Sequence, residues 1–354
     1  MRVPNQPIRH VFAMMALLIF CLVPVLGQAS EVERLASVMP DDNKVVIGVD
    51  MNSLRASPFY KDGYEWFKNH PTLGSLLQLL EDEGSFDINK DLHALMLVTS
   101  DLPTSVDGAN AMPFGLAISG TFNQEELLKA AKERFADAVE RKEGKITVHR
   151  SEEVEFGFAN ATTLIVGSGE GAFLKKLWTS VADAKKTRNA NFMSLKKDVG
   201  ASQNVWVLLD TREAQQSEGP KSEMAGIGIR LNPGLELTVL TRMATEEDAQ
   251  EAAMEAEKLK AGAGADPMVA LFGLAPLVQN LKVAQKAKEM RMTTSMTEGQ
   301  TRALVTRVQA IAKRSGTLQG GAMPTIQRPT PTTPEDGEKK TPTGPGQGVP
   351  ADFN

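Results

Sequence analysis

Two runs of largely β-branched residues, each ending in aspartate, constrain the fold of this chain most strongly. They are KVVIGVD at residues 44–50 and NVWVLLD at residues 204–210. A short apolar run of this kind is typical of a strand buried on both faces, and the aspartate indicates a turn where the strand ends. Similar elements follow each run in a similar order. The sequence therefore predicts an α+β fold of two similar halves, each a mainly antiparallel sheet with packed helices.

The length and composition place the boundaries of these halves. The chain has 354 residues, of which 42% are hydrophobic, enough for two domains with cores of their own. A polar, charge-rich segment at residues 185–203 divides them, which gives a first half at residues 30–195 and a second half at residues 196–316. Residues 317–354 are rich in Pro, Thr and Gly, and we expect them to form a disordered tail.

The first 29 residues have the pattern of a secretory signal peptide. Arg2 and Arg9 precede an apolar run, and small residues at Gly27 and Ala29 mark a cleavage site after Ala29. We therefore expect export to the periplasm. The alternative is a retained anchor in the inner membrane, because residues 11–29 are long enough to cross a bilayer once as a helix.

Charge and cysteine content exclude several classes of function. The formal net charge is −5, with no basic cluster of the kind that binds nucleic acid or anionic lipid. Any membrane association is therefore expected only through an uncleaved signal. The single cysteine, Cys21, lies inside the signal. A chain cleaved after Ala29 would contain no disulfide, thiolate metal site or cysteine nucleophile.

Helix caps and turn residues predict the remaining elements. Capping boxes begin helices at Asn123, Thr245 and Thr297, and the first of these helices has apolar residues on one face as far as Val139. A proline and glycine at residues 232–234 indicate a hairpin. Further helices are expected near residues 57–80, 170–184 and 266–281, and further strands near residues 94–98, 114–118, 146–149, 154–158, 163–166 and 290–296.

Two short motifs have the spacing of known ligand loops. Residues 167–172 fit the loose glycine pattern of a nucleotide-binding turn, but Glu170 places an anion where a phosphate would bind. Residues 87–91 have the opening spacing of a calcium loop, but Leu92 and Val98 replace its glycine and its bidentate glutamate. A glycine-rich turn and a polar turn are the favoured interpretations, and no cofactor is expected.

Two further motifs are compatible with chemistry but incomplete. Met290, Met292 and Met296 alternate as thioether ligands of Cu(I) can, although methionine also fills cores. Ser194 and Lys197 match an S-x-x-K pattern without its partner motifs. We therefore expect no metal site, and no catalytic residue can be assigned.

Histidines are the remaining candidates for a site assembled from distant parts of the chain. His70, His93 and His149 are isolated in sequence, without metal-ligand spacing. A hydrolase triad would need one of them within hydrogen-bond reach of a serine and a carboxylate.

Three segments resemble a known group of proteins. VMPDDNKVVIGVDMNSLRASPFY, FDINKDLHAL and PFGLAISGTFNQEELL, within residues 36–313, are similar to secreted α+β proteins of Gram-negative, myxobacterial-type bacteria. The resemblance implies export and the α+β fold. It implies no activity and no functional residues.

These observations favour an exported, non-enzymatic periplasmic or envelope-associated protein over an enzyme. Its partner is expected to be a protein or an apolar ligand, since apolar helices rich in Met and Leu can form a groove. The alternative is a periplasmic hydrolase with a site built from dispersed residues. The sequence leaves the oligomeric state open.

Overall fold

The strands form one sheet, with the two β-branched runs side by side at its centre. The computed structural model describes residues 30–314 except 69–80, 82–85, 103–112, 152–153, 169–171, 185–188, 201–202, 214–218, 265, 267–268 and 271. The helices are α1 (Glu31–Val38), α2 (Met51–Leu54), α3 (Tyr60–Lys68), α4 (Gln124–Arg134), α5 (Ala172–Ala182), α6 (Ala190–Val199), α7 (Glu246–Ala263), α8 (Ala275–Gln279) and α9 (Glu298–Arg314). The strands are β1 (Val45–Asp50), β2 (Leu92–Thr99), β3 (Phe114–Gly120), β4 (Val139–Glu143), β5 (Ile146–Arg150), β6 (Glu155–Asn160), β7 (Thr163–Ser168), β8 (Val205–Asp210), β9 (Ser222–Leu231), β10 (Leu235–Met243), β11 (Lys282–Lys286) and β12 (Glu289–Met296).

The central pair of the sheet joins the two runs. Strands β1 and β8 are antiparallel, and Ile47 lies opposite Val207, the middle residue of the other run. The N–H of Asp50 donates to the carbonyl of Asn204 at 2.9 Å. The side chain of Asp50 then accepts from the N–H of Ser53 and caps α2. The aspartate that ends the run is thus both the end of a strand and the beginning of a helix.

The two sides of this pair have a similar order in their first three strands and differ beyond them. The sheet runs β11-β12-β10-β9-β8-β1-β2-β3-β7-β6-β5-β4, and the neighbours are antiparallel throughout. From the centre outward, three successive strands are followed on the β8 side by the hairpin of β11 and β12, with β12 inner. On the β1 side they are followed by the four consecutive strands β4 to β7, with β7 innermost. The α+β class with an antiparallel sheet is therefore confirmed. The two sides share one sheet instead of each forming its own, because the two β-branched runs pair with each other.

Helices cover both faces of the sheet. On the first face, α1, α5 and α6 pack on the core that contains Val46 and Trp206. On the second face, α2, α3 and α9 pack on the core that contains Val45 and Val207. The central strands are therefore buried on both sides, as their unbroken apolar sequence requires.

Several sequence predictions hold in detail. Thr245 and Asp248 form a complete capping box at the start of α7. Thr297 and Gln300 exchange hydrogen bonds at the start of α9. The hairpin of β9 and β10 turns at residues 232–234, as the proline and glycine predict.

Two predicted helices end earlier than the sequence pattern indicated. The helix expected to reach Val139 ends at Arg134, because residues 139–143 pair with β5 around Gly144, whose φ of 61° suits a tight turn. Residues 266–281 do not form one helix, because Gly273, with φ 73°, interrupts it before α8.

The boundary predicted after residue 195 falls inside α6. Asn189 caps this helix by accepting from the N–H of Phe192, a start signal hidden in a polar segment. The described residues belong to one compact unit. None of its described helices combines the length and apolar character needed to cross a bilayer. Residues 1–29 and 317–354 lie outside the described part of the chain.

Candidate binding groove

An apolar groove runs between α7 and the edge strand β11. It is a shallow depression, open to solvent, with a volume of about 550 Å³. It is lined by Ala253, Met254, Glu257, Lys258, Ala261, Val283 and Gln285. We call this feature the α7–β11 groove.

The sequence of α7 explains how the groove forms. Ala249 and Ala256 are buried, and their small side chains let the helix lie close on β10, β11 and β12. Ala253 and Ala261, on a neighbouring face of the helix, leave space beside the strand. Met254 stands at the rim with 58% of its surface exposed. A large exposed thioether beside an apolar cleft is a typical feature of an adaptable binding surface.

Strand β11 supplies the other wall of the groove and the free edge of the sheet. Val283 and Gln285 are half-buried on the groove side, while Lys282, Ala284 and Lys286 are exposed on the opposite side. Strand β11 pairs with β12 and is the last strand in the order of the sheet.

A second, polar cavity lies at one end of the central strand pair. Its volume is about 250 Å³, and its lining includes Asp41, Asn189, Asp210 and Arg212. The guanidinium of Arg212 donates to both carboxylate oxygens of Asp210, at 2.9 and 2.5 Å. This hydrogen bonding lowers the pKa of Asp210 despite its burial. The pair fits a structural ion pair that closes the end of β8, since both carboxylate oxygens already accept from arginine.

The histidines do not form a triad in the part of the chain that is described. His149 is buried on β5, with its Nδ1 3.9 Å from Oε1 of Glu140 and its ring stacked on Phe156. Ser119, the serine of β3, is fully buried and donates its hydroxyl to Glu31 at 2.9 Å. No hydrogen bond between described residues joins His93 or His149 to a serine. His70 lies outside the described residues.

The buried imidazole of His149 predicts a dependence of stability on pH. Burial lowers the pKa of His149, and Lys132 adds to this effect while Glu140 opposes it. The unfolded chain therefore binds a proton at a higher pH than the folded chain, so stability falls on acidification through the unfolded pKa near 6.5. Urea unfolding should show a larger loss between about pH 7.5 and about pH 5.5 in the wild type than in His149→Gln. Equal losses in the two proteins would remove His149 as the source.

The calcium-like segment is a self-contained turn. Asp87 accepts from the N–H of Asn89 at 2.9 Å, and Asp91 accepts from the N–H of Asp87 at 2.8 Å. Lys90 pairs with Asp87 at 2.6 Å. Carboxylate oxygens of Asp87 and Asp91 are thus directed to the turn itself, and Oδ1 of Asn89 accepts from the hydroxyl of Tyr60 at 2.6 Å, so this segment fits a polar turn. Within the described ranges, no three His, Cys, Asp or Glu side chains are grouped as a metal site.

The methionines of β12 lie along the wall of a core. Met290 and Met296 are buried, and Met292 packs against the core of the second face. Six residues of strand separate Met290 from Met296, about 20 Å at 3.3 Å per residue, so these two cannot bind one ion. The placement fits methionine as core filling.

The two remaining motifs are also placed in structural roles where they are described. Ser194 accepts from Arg242 at 2.9 Å on the surface of α6. In the glycine motif, Gly167 lets Leu174 of α5 approach the sheet closely. Residues 169–171 of that motif lie outside the described residues.

Sequence reasoning missed the α7–β11 groove. Residues 282–286, which form β11, were left unassigned between the helix predicted to end at residue 281 and the strand predicted from residue 290, and Met254 was not singled out. The available signal was KVAQK, whose short alternation of lysine and smaller residues is typical of an edge strand.

Comparison with known proteins gives a weak structural likeness. No family model and no curated protein matches the chain. A solved structure of TP0453, crystal form III, aligns with a TM-score of 0.43 and 12% identity over 77% of this chain and 97% of that one. Crystal form I of TP0453 aligns with a TM-score of 0.42 and 13% identity over 80% of this chain and 99% of that one.

Proposed function

We propose that the chain is an exported, non-enzymatic protein that binds an apolar ligand or the apolar side chains of a partner in the α7–β11 groove. The observation that carries this proposal is the combination of an apolar cleft of about 550 Å³ with Met254 exposed at its rim. Export rests on the signal pattern of residues 1–29. The resemblance to secreted proteins supports the same location.

The groove is suited to binding more than to chemistry. Glu257 and Lys258 are its charged residues, and both lie on the exposed side of α7. Glu257 is 3.7 Å from Lys260, so its charge is partly balanced. The alternative, a hydrolase, has less support, because no hydrogen bond between described residues joins His93 or His149 to a serine.

The proposal predicts that a charge at the rim weakens the binding of an apolar probe. Met254→Lys should lower the affinity of the purified full chain for Nile red about tenfold, because a fully buried apolar side chain of this size contributes about 1.5–3 kcal/mol. The measurement is a fluorescence titration at constant ionic strength.

The matched control is Leu259→Lys on the same helix. Leu259 is 39% exposed and does not line the groove. Its replacement should change the affinity for Nile red less than twofold. Equal effects of the two substitutions, or unchanged affinity in Met254→Lys, would show that the dye binds elsewhere and would remove the groove as the binding site.

A further inference from the structure

We propose that the free edge of β11 binds an extended, acidic segment of a partner protein, which adds a strand to the sheet and places apolar side chains in the α7–β11 groove. This inference rests on the proposed function and deepens it, because it names the chemical class of the partner.

The backbone of β11 has hydrogen-bonding groups directed away from the sheet. Ala287 and Lys288 form a two-residue turn, so Lys286 and Glu289 flank it as a hydrogen-bonded pair. Hydrogen-bonded and non-hydrogen-bonded pairs alternate along an antiparallel ladder. Val283 and Gln285 are therefore in non-hydrogen-bonded pairs with β12, and their N–H and C=O groups point away from it. Among the described residues, no backbone hydrogen bond beyond the pairing of β11 with β12 reaches either residue. Val283 and Gln285 thus offer two N–H donors and two C=O acceptors to an added strand.

The same two residues line the groove. Val283 and Gln285 have their side chains on the side of α7, so a strand paired with them would direct its neighbouring side chains to that side as well. Those side chains would meet Met254 and the space beside Ala253 and Ala261. Backbone pairing and apolar burial would therefore occur together, which is the usual mode of strand addition.

The opposite side of β11 selects the charge of the partner. Lys282, Ala284 and Lys286 are exposed there, and no described salt bridge includes either lysine. Carboxylates at the first and fifth positions of an antiparallel segment would lie opposite these two lysines. Lysine on an edge strand also prevents unwanted pairing. In a self-pairing of two copies centred on Ala284, each Lys282 would face a Lys286, so repulsion disfavours a second copy and favours an acidic segment.

A short peptide tests the inference directly. The probe is fluorescein-labelled Glu-Val-Thr-Val-Glu, which places two valines on the groove side and two glutamates opposite the lysines. Anisotropy titration against the full chain should show binding about tenfold tighter than for Lys-Val-Thr-Val-Lys. The difference should shrink in about 1 M salt, where charges are screened within about 3 Å. Equal affinity for the two peptides at low salt would overturn the inference.

Two variants separate strand pairing from charge attraction alone. N-methylation of the two valines removes the donors that face β11 and should lower affinity at least tenfold, whereas N-methylation of the central threonine should change it less than twofold. The double substitution Lys282→Glu and Lys286→Glu should reverse the preference between the two peptides. Equal effects of the two methylation patterns, or an unchanged preference in the double variant, would contradict pairing at β11.

The inference and the proposed function can fail separately. If Nile red binds through Met254 while neither peptide binds, the strand inference is wrong and the groove remains a binding site. If the acidic peptide binds with the expected dependence on methylation while Met254→Lys leaves Nile red unaffected, the edge is a binding site and the apolar groove is not.

Discussion

Replacing Gly48 by valine should destabilise the protein by about 3 kcal/mol, because overpacking of a close-packed core costs about 1–3 kcal/mol and here the obstacle is a rigid ring. Gly48 of β1 lies opposite Trp206 of β8, and a Cβ at this position would overlap the indole ring. Trp206 is 2% exposed, with the ammonium of Lys196 5.5 Å from its ring centroid. The ring therefore has little room to move. Urea unfolding followed by circular dichroism measures the loss.

The control for this substitution is Gly262→Ala in α7. A Cβ at Gly262 meets no atom within 4 Å, and the residue is helical. This replacement should leave stability unchanged or raise it by up to about 1 kcal/mol, since alanine restricts the unfolded chain. A similar loss of stability in both variants would indicate that the overlap with Trp206 is not the cause.

Replacing Asn204 by alanine should also cost about 3 kcal/mol, because it leaves buried polar groups without partners at about 1–3 kcal/mol each. The residue is 1% exposed at the start of β8. Its carboxamide oxygen accepts from the N–H of Leu231 at 2.9 Å, and its nitrogen donates to the hydroxyl of Ser53 at 2.8 Å. The side chain thus joins β8, β9 and the start of α2. The free energy of unfolding in urea provides the measurement.

Lys44 gives the matched control, because it begins the first β-branched run as Asn204 begins the second. Its carbonyl accepts from the N–H of Asp210, just as that of Asn204 accepts from Asp50. The ammonium of Lys44 pairs with the exposed Glu213 at 2.7 Å and lies 3.8 Å from Asp210, whose two carboxylate oxygens Arg212 continues to hold when Lys44 is removed. Lys44→Ala should therefore cost less than about 1 kcal/mol, as is usual for surface ion pairs. A loss as large as that of Asn204→Ala would contradict a specific role of the buried carboxamide.

The sequence predicts the centre of the fold better than its edges. Strands β1 and β8 are found where their apolar runs place them, because burial on both faces leaves an unbroken pattern. The helix that begins at Asn123 was predicted to extend to Val139, because apolar residues continue on one face as far as this residue, whereas residues 139–143, VERKE, form β4. Their pairing with β5 depends on the turn at Gly144 and on the partner strand that follows it, neither of which the apolar face of the preceding helix indicates.

The sequence pattern also did not predict which charged residues are buried. Lys196 of α6 is 6% exposed, and its ammonium is 3.0 Å from Glu33 of α1. A lysine in a polar segment predicts solvent exposure, so α6 was missed and the boundary was placed within it. The candidate groove was missed for a related reason. It has no polar motif, and it exists only where a helix with small residues meets the last strand of a sheet.

The β1–β8 pair has a consequence for how the chain can be divided. Each strand satisfies part of the other's backbone, and each is among the most apolar strands of its side. Either half alone would expose a long hydrophobic edge, which is a template for aggregation. Carrying both halves on one polypeptide keeps the partner edge at high effective concentration from the moment of synthesis. Covalent continuity between the halves therefore protects solubility as well as specifying the fold.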